Sequence, residues 1–375
     1  MESLSDLEAV HMRIKDWKKK IEKADKIFIY GAGLMGKALK KCLTEAPYKK
    51  VISGFLVANM DNNPEKIDNI PVMDIAHAAE YKESLVLVAL HEKNINGVLD
   101  SLDDKGFENV VPVSFDSDLW SEIRGNWFRV NMMDNEIIYR EDYEDEATDL
   151  SVYVVHSIYD KALAEQGEPR KYEIPIQVGA KLTEKKLFPV RDDAGENISE
   201  KNKQYCELTA LYWMWKNDNS KYIGLSHYRR KFELSGALIR GVLQSGIDVI
   251  VTVPVLNFNT VRGQYTMDHD EDDWDIMLDA IRELYPEYLS AAEEIQNGIY
   301  YYAYNMFITR KEIFDAYCEW LFAILSYCEQ KIGVKEDSYQ NRYIGFLAER
   351  LLIIYLTYNK QYKTAIAPKH FIESV

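Results

Sequence analysis

The sequence predicts an α/β protein of two domains, and three observations predict it. Short apolar runs of strand length recur along the chain, separated by stretches with helical spacing. One of them, Lys26-Ile27-Phe28-Ile29-Tyr30, feeds directly into Gly31-Ala32-Gly33-Leu34-Met35-Gly36 and then a helical pattern from Lys37 to Leu43. Between the halves, residues 134–149 hold eight carboxylates against a single arginine, Arg140. Like charges repel and the stretch has neither period, so it reads as a linker, with the boundary near residue 147.

Composition bounds the function. A chain of 375 residues with 47% apolar content is long enough for two cores. Its 61 acidic and 45 basic side chains leave a formal charge of −16, which repels nucleic acid; Lys18-Lys19-Lys20 is too short a basic run to reverse that. No nucleic-acid partner is expected. Cys42, Cys206, Cys318 and Cys328 lack paired spacing, so neither a zinc site nor a disulfide framework is implied, as suits a reducing cytoplasm. The amino terminus, charged throughout, lacks the apolar core of a signal peptide. Residues 343–358 are apolar but interrupted by Glu349 and Arg350, and predict a buried helix rather than a membrane span.

In the first domain, the order strand, glycine turn, helix at Gly31, Gly33 and Gly36 is that of a dinucleotide fingerprint. The next strand, Val51 to Val57, continues into Ala58-Asn59 without the acidic residue a nicotinamide ribose requires, which weakens a dehydrogenase reading. Leu85 to Leu90 and Val110 to Val113 supply further strands of a Rossmann-like doubly wound sheet. The glycines serve tight strand–helix packing or a nucleotide, and the sequence leaves both open.

In the second domain, Leu150 to His156 is the first strand, with His156 and Tyr159 at its tip, followed by a polar stretch to Gly179 expected as a loop. After Asp192-Asp193-Ala194-Gly195-Glu196-Asn197, Ser199 is a cap candidate for a helix over 203–216. The strand Lys221 to Ser226 then ends in His227-Tyr228-Arg229-Arg230. Two arginines and a histidine at a strand's carboxyl end form a compact cation where open α/β sheets bind ligands, suited to a diphosphate; the plainer alternative is a solvated turn pairing with the protein's own carboxylates. Asp268 to Trp274 is either a solvated acidic loop or the source of a base. Aromatic residues from Tyr300 to Tyr304 enter a strand, and the helix around Ile313–Cys328 is core.

The run from Asp192 to Ser199, with Lys201-Asn202, Tyr205 to Asn217 and HYRR, resembles a family of bacterial capsular and exopolysaccharide glycosyltransferases whose domain was first catalogued without a function. Tyr265, His269, Asp273, Trp274, Asn305 to Ile308, Tyr317-Cys318, Trp320 to Phe322, Arg342 and Gly345 to Leu351 continue the resemblance over roughly residues 150 to 360. Asp61 to Pro64 and Ile70 to Val72 resemble the amino-terminal Rossmann-like domain of sugar acyltransferases.

The resemblance implies a GT-A-like carboxy-terminal domain that moves a hexose, galactofuranose being one implied sugar, from a UDP-linked donor to a saccharide or lipid-linked acceptor. Peripheral contact with the inner membrane face is compatible with such an acceptor. His156, Tyr159, Asp192, Asp193, Asn197, Asn202, His227, Tyr228, Arg229 and Arg230 become candidate nucleotide and diphosphate ligands, and His269, Trp274, Asn305 and Arg342 candidate sugar or acceptor ligands. Asp273 is the first candidate base, Glu349 the second unless it is half of an ion pair with Arg350, and Asp337 the third. No cofactor is required on this reading: arginines stand where metal-dependent relatives carry an acidic triad, although a cation held by Asp192 and Asp193 is the competing reading. An NAD-dependent oxidoreductase using Gly31, Gly33 and Gly36, or a non-catalytic sugar-nucleotide binder, are the alternatives.

Overall fold

The computed structural model describes residues 6–132, 149–164 and 169–374. The chain divides into two compact units, residues 1–134 with 256–258 and residues 135–255 with 259–375. The predicted boundary at residue 147 lies outside the described residues, as does nearly all of the acidic stretch.

The first unit runs α1 (Asp6–Lys23), β1 (Ile27–Tyr30), α2 (Leu34–Thr44), β2 (Ile52–Val57), β3 (Lys66–Ile67), β4 (Ile70–Asp74), β5 (Leu85–Val88), α3 (Glu92–Asp104), β6 (Val110–Pro112) and α4 (Asp118–Asn131). Its sheet has the order β3-β4-β2-β1-β5-β6, parallel except for the β3–β4 pair. β1 and β5 are wholly buried because helices cover both faces of a parallel sheet, which is why their sequences are unbroken apolar runs. The chain reverses direction of winding between β1 and β5, the switch point of a doubly wound sheet.

The second unit contains β7 (Leu150–His156), β8 (Glu173–Gln177), β9 (Val190–Arg191), α5 (Asn202–Tyr205), α6 (Leu208–Asn217), β10 (Tyr222–His227), β11 (Arg230–Phe232), α7 (Gly236–Gln244), β12 (Val249–Thr252), β13 (Val255–Leu256), α8 (Val261–Asp268), α9 (Glu271–Leu284), α10 (Leu289–Asn297), β14 (Tyr300–Tyr301), β15 (Phe307–Arg310), α11 (Lys311–Ile332), α12 (Tyr343–Tyr358), β16 (Thr364–Ala367) and β17 (Lys369–Phe371). The strand order is β16-β12-β15-β10-β7-β8-β9, with β15 antiparallel to both neighbours. β11 hooks back from the tip of β10 and pairs with β17, placing Arg230 opposite Phe371. The α/β class predicted from the sequence is observed in both units.

Two local expectations are corrected. The stretch expected as a loop to Gly179 contains β8, in which Ile176 and Gln177 are fully buried and the buried Glu173 takes Lys231 at 2.9 Å. The helix expected over 203–216 is broken at Cys206, whose φ of +50° is left-handed. Asn202 accounts for the break, since its Nδ2 donates to the freed Cys206 carbonyl at 2.7 Å and to Thr209 Oγ1 at 3.1 Å. α12 matches the predicted buried helix, and no described helix is long and apolar enough to cross a membrane.

Candidate active site

The tip of β10 is built first. His227 donates from Nε2 to the Tyr304 carbonyl at 2.8 Å, because a carbonyl only accepts. Burial and the nearby Arg230 hold its pKa at about 4, so at neutral pH this ring is uncharged. The sequence expectation of a three-residue cation is therefore corrected: the charge comes from arginine, not histidine. Arg230 lies 4.4 Å from the centre of the Tyr304 ring and 5.2 Å from that of Phe371. Arg229 lies 5.5 Å from Phe371, and Lys369, almost wholly buried, lies 5.5 Å from Tyr304. Three cations thus share an aromatic floor that fixes their stems by cation–π contact.

Two carboxylates join this tip. Glu349 of α12 accepts the Tyr304 backbone N–H at 2.7 Å and pairs with Arg350 at 2.7 Å; its side chain is 15% exposed. Burial raises its pKa, and Arg350 opposes the rise. Glu207, at the start of α6, accepts Asn305 Nδ2 at 2.7 Å; burial raises it too, countered by that hydrogen bond and by Arg342 and Arg230. Arg342 in turn donates from Nε to Cys206 Sγ at 3.2 Å.

The backbone here is strained. Cys206, Tyr304 and Asn305 have φ of 50°, 71° and 52°, and they are the non-glycine residues of the second unit with positive φ among those described. Each such residue costs on the order of 1–3 kcal/mol, and such costs gather at functional sites. His227, Arg229, Arg230, Glu207, Tyr304 and Glu349 are all half-buried, while Asn305 is 1% exposed.

The remaining predicted ligands divide. Asp192, fully buried, accepts from Gly179 N, Ala180 N, Ser199 Oγ and Thr209 Oγ1, so it organises its loop rather than facing a ligand. Ser199 is thereby bound to Asp192 and is not a helix cap. Asp193 pairs with Arg191 at 3.1 Å, and Asn197 donates to Asp193 O and Gly195 O. Asn202 spans the helix break. Gly195, at φ +60°, sits where a Cβ would lie 2.0 Å from Asn217 Oδ1. The motif is a folded hub in which Asp192 is the buried acceptor and Asn202 bridges the helix break.

Asp273, 2% exposed, pairs with Lys335 at 2.6 Å and takes Tyr265 OH at 3.4 Å; none of its partners belongs to the strand-tip cluster. Trp274 is fully buried against Tyr265, so its ring packs in the core instead of meeting a sugar. Asp337, exposed, accepts Tyr339 N and Gln340 N and caps a turn. His269 stacks 4.0 Å from Phe346, on the side chain of which Arg342 also rests at 5.4 Å, and burial keeps its pKa at about 4. His156 bonds Asp160 at 3.0 Å and packs beside Phe188 and Tyr228, whereas Tyr159 projects into solvent.

Glu207 was missed from the sequence because, inside the helix expected over 203–216, it reads as one polar residue among apolar ones; the break at Cys206 that puts it at the start of α6 is seen only in the structure. Lys369 carried no local signal at all. In the first unit, a Cβ on Gly36 would lie 1.9 Å from Gly31 O, and one on Gly31, at φ +112°, 2.7 Å from Ala89 O. Both glycines are required by packing. Gly33, ahead of α2, has open space around it.

A family model described as a domain of unknown function (DUF4422) matches residues 154–361, more than half of the chain. Among solved structures, the apo structure of the bifunctional glycosyltransferase WbbM aligns with a TM-score of 0.55 and 28% identity over 60% of this chain. The alignment spans 46% of that longer chain. The Rex-family repressor RSP aligns at 16% identity over 35% of this chain and 71% of its own, with a TM-score of 0.22 that supports no inference. No curated protein matches.

Proposed function

Because the chain belongs to the family described as a domain of unknown function (DUF4422), and its likeness to WbbM is to a glycosyltransferase, we propose that it is itself a glycosyltransferase with a GT-A-like catalytic domain. It moves a hexose from a UDP-linked donor to a saccharide or lipid-linked saccharide of a capsule or exopolysaccharide. The observation that carries this reading is the gathering around Tyr304, at one strand tip, of Arg230 and Lys369 on its ring and Glu349 on its backbone N–H, with Arg229 on the adjoining Phe371 ring and Glu207 on the neighbouring Asn305. Cations stabilise the charge that develops on a departing diphosphate, and a carboxylate takes the proton of the attacking hydroxyl. Glu349 serves as that base, since it reaches the tip through Tyr304.

Calorimetric titration with UDP, GDP, CMP and NAD tests the reading. UDP is expected to bind, and Arg230→Ala to weaken it about tenfold to a hundredfold, as loss of a charge-assisted contact worth about 1.5–3 kcal/mol requires. Tight NAD binding with no response to Arg230→Ala would instead place the ligand at the first unit's glycine turn.

The same chemistry makes a divalent cation dispensable, because arginine neutralises phosphate directly. Transfer is expected to continue after exhaustive chelation with EDTA. Loss of activity restored by manganese or magnesium would show that a metal supplies the charge.

A further inference from the structure

Resting on the donor site proposed above, we infer that Asn305 Oδ1 accepts a hydrogen bond from a hydroxyl of the transferred sugar, and that Glu207 is the positioning residue that aims it. The Asn305 side chain is 1% exposed. Its Nδ2 lies 2.7 Å from Glu207 Oε1 and 3.4 Å from the Gly345 carbonyl. The Gly345 carbonyl never donates, so the NH₂ end faces it and the Glu207 oxygen beside it. The chemistry of its neighbours, not the shape of the amide, fixes which end is which.

Oδ1 therefore points the other way. It is buried and accepts no hydrogen bond from the described residues. A buried acceptor is complemented by an O–H or N–H donor, and a sugar offers hydroxyls. The position favours the transferred sugar over the acceptor. Tyr304, the preceding residue, packs its ring under Arg230, where the diphosphate is placed, and gives its carbonyl to His227. Successive positive φ values of 71° and 52° turn the chain so that Tyr304 faces the cations and Asn305 reaches back to Glu207. Burial raises the Glu207 pKa, and the Asn305 hydrogen bond, Arg342 and Arg230 oppose that rise. This assigns Glu207 a role in sugar discrimination distinct from the proton-accepting role of Glu349.

The test uses the full chain and three probes, UDP, UDP-glucose and UDP-galactose, with calorimetric Kd values for each. The quantity read is the affinity of the better-bound hexose relative to UDP alone. Asn305→Gly suits the left-handed backbone and removes the amide; it is expected to lower that ratio about tenfold while leaving the UDP Kd within about twofold. Glu207→Gln keeps size but lets either end of Asn305 face it, and is expected to lower the ratio by a smaller factor, about threefold, again sparing UDP. Wild-type ratios in both variants would overturn the inference. Equal weakening of UDP and UDP-hexose would also overturn it, as the mark of a purely structural role. An unchanged ratio with a raised KM for the acceptor would assign the hydroxyl to the acceptor and overturn the donor assignment. Failure of wild-type protein to bind any of the three probes would instead overturn the donor-site reading itself.

Discussion

Glu349→Gln is expected to lower turnover by about 10²–10⁴ while leaving UDP affinity nearly intact. Glutamine keeps the length of the side chain but cannot take the acceptor's proton. The loss belongs to the transition state, because proton transfer begins only as the new bond forms. One structural complication accompanies it: Glu349 faces two donors, Tyr304 N–H and Arg350, and an amide can satisfy only one of them with its oxygen. Thermal unfolding must therefore be measured beside turnover, and the assignment holds only if a folded variant is slow. Near-normal turnover in that folded variant would move the base to Glu207. Burial raises the Glu349 pKa, so wild-type activity is expected to fall, on acidification, at a higher pH than an ordinary exposed glutamate would give. The base acts deprotonated, so the lost activity lies on the acid side.

Lys335→Met is expected to destabilise the second unit by about 3–5 kcal/mol, far more than Asp273→Asn. The asymmetry follows from the contacts. Lys335 holds both Asp270 and Asp273 at 2.6 Å, so removing Asp273 leaves the lysine an alternative partner, whereas removing Lys335 strands a carboxylate that is 2% exposed. Burial already raises the Asp273 pKa despite Lys335. Without the lysine the folded-state value rises further above the unfolded one, so the penalty is greatest above that range. It shrinks as pH falls and the carboxyl takes a proton. Urea denaturation at neutral and acid pH measures this directly. Equal penalties for the two variants, or a Lys335→Met penalty independent of pH, would show that this ion pair is not the buried lock the geometry describes.

The element pattern was legible because it is written in local chemistry. Apolar runs at β1 and β5 and a β-rich run at β7 predicted strands, and the interrupted apolar run at 343–358 predicted α12 to the residue. The glycine turn was legible as a motif, but its meaning was not. Gly31 and Gly36 are explained by carbonyl oxygens that come near only when β1, β5 and α2 pack.

The site was legible in part for the same reason. That arginines crowd the end of β10 is a statement about neighbours in sequence, and the sequence determined it. Whether a given carboxylate faces those arginines depends on residues 20 to 140 positions away, and only the tertiary structure decided it. It joined Glu349 and Asn305 to the strand tip, brought in Glu207 and Lys369, and turned Asp192 and Asp273 inward to a loop hub and an ion pair. The charge state of His227 was decided there too. An isolated histidine beside arginines gives no sign of its protonation, whereas burial, with Arg230 close by, keeps it neutral despite the Tyr304 carbonyl. Sequence fixes which groups are available; the free energy of removing each from water, and the partner that then compensates it, exists only once distant segments have packed.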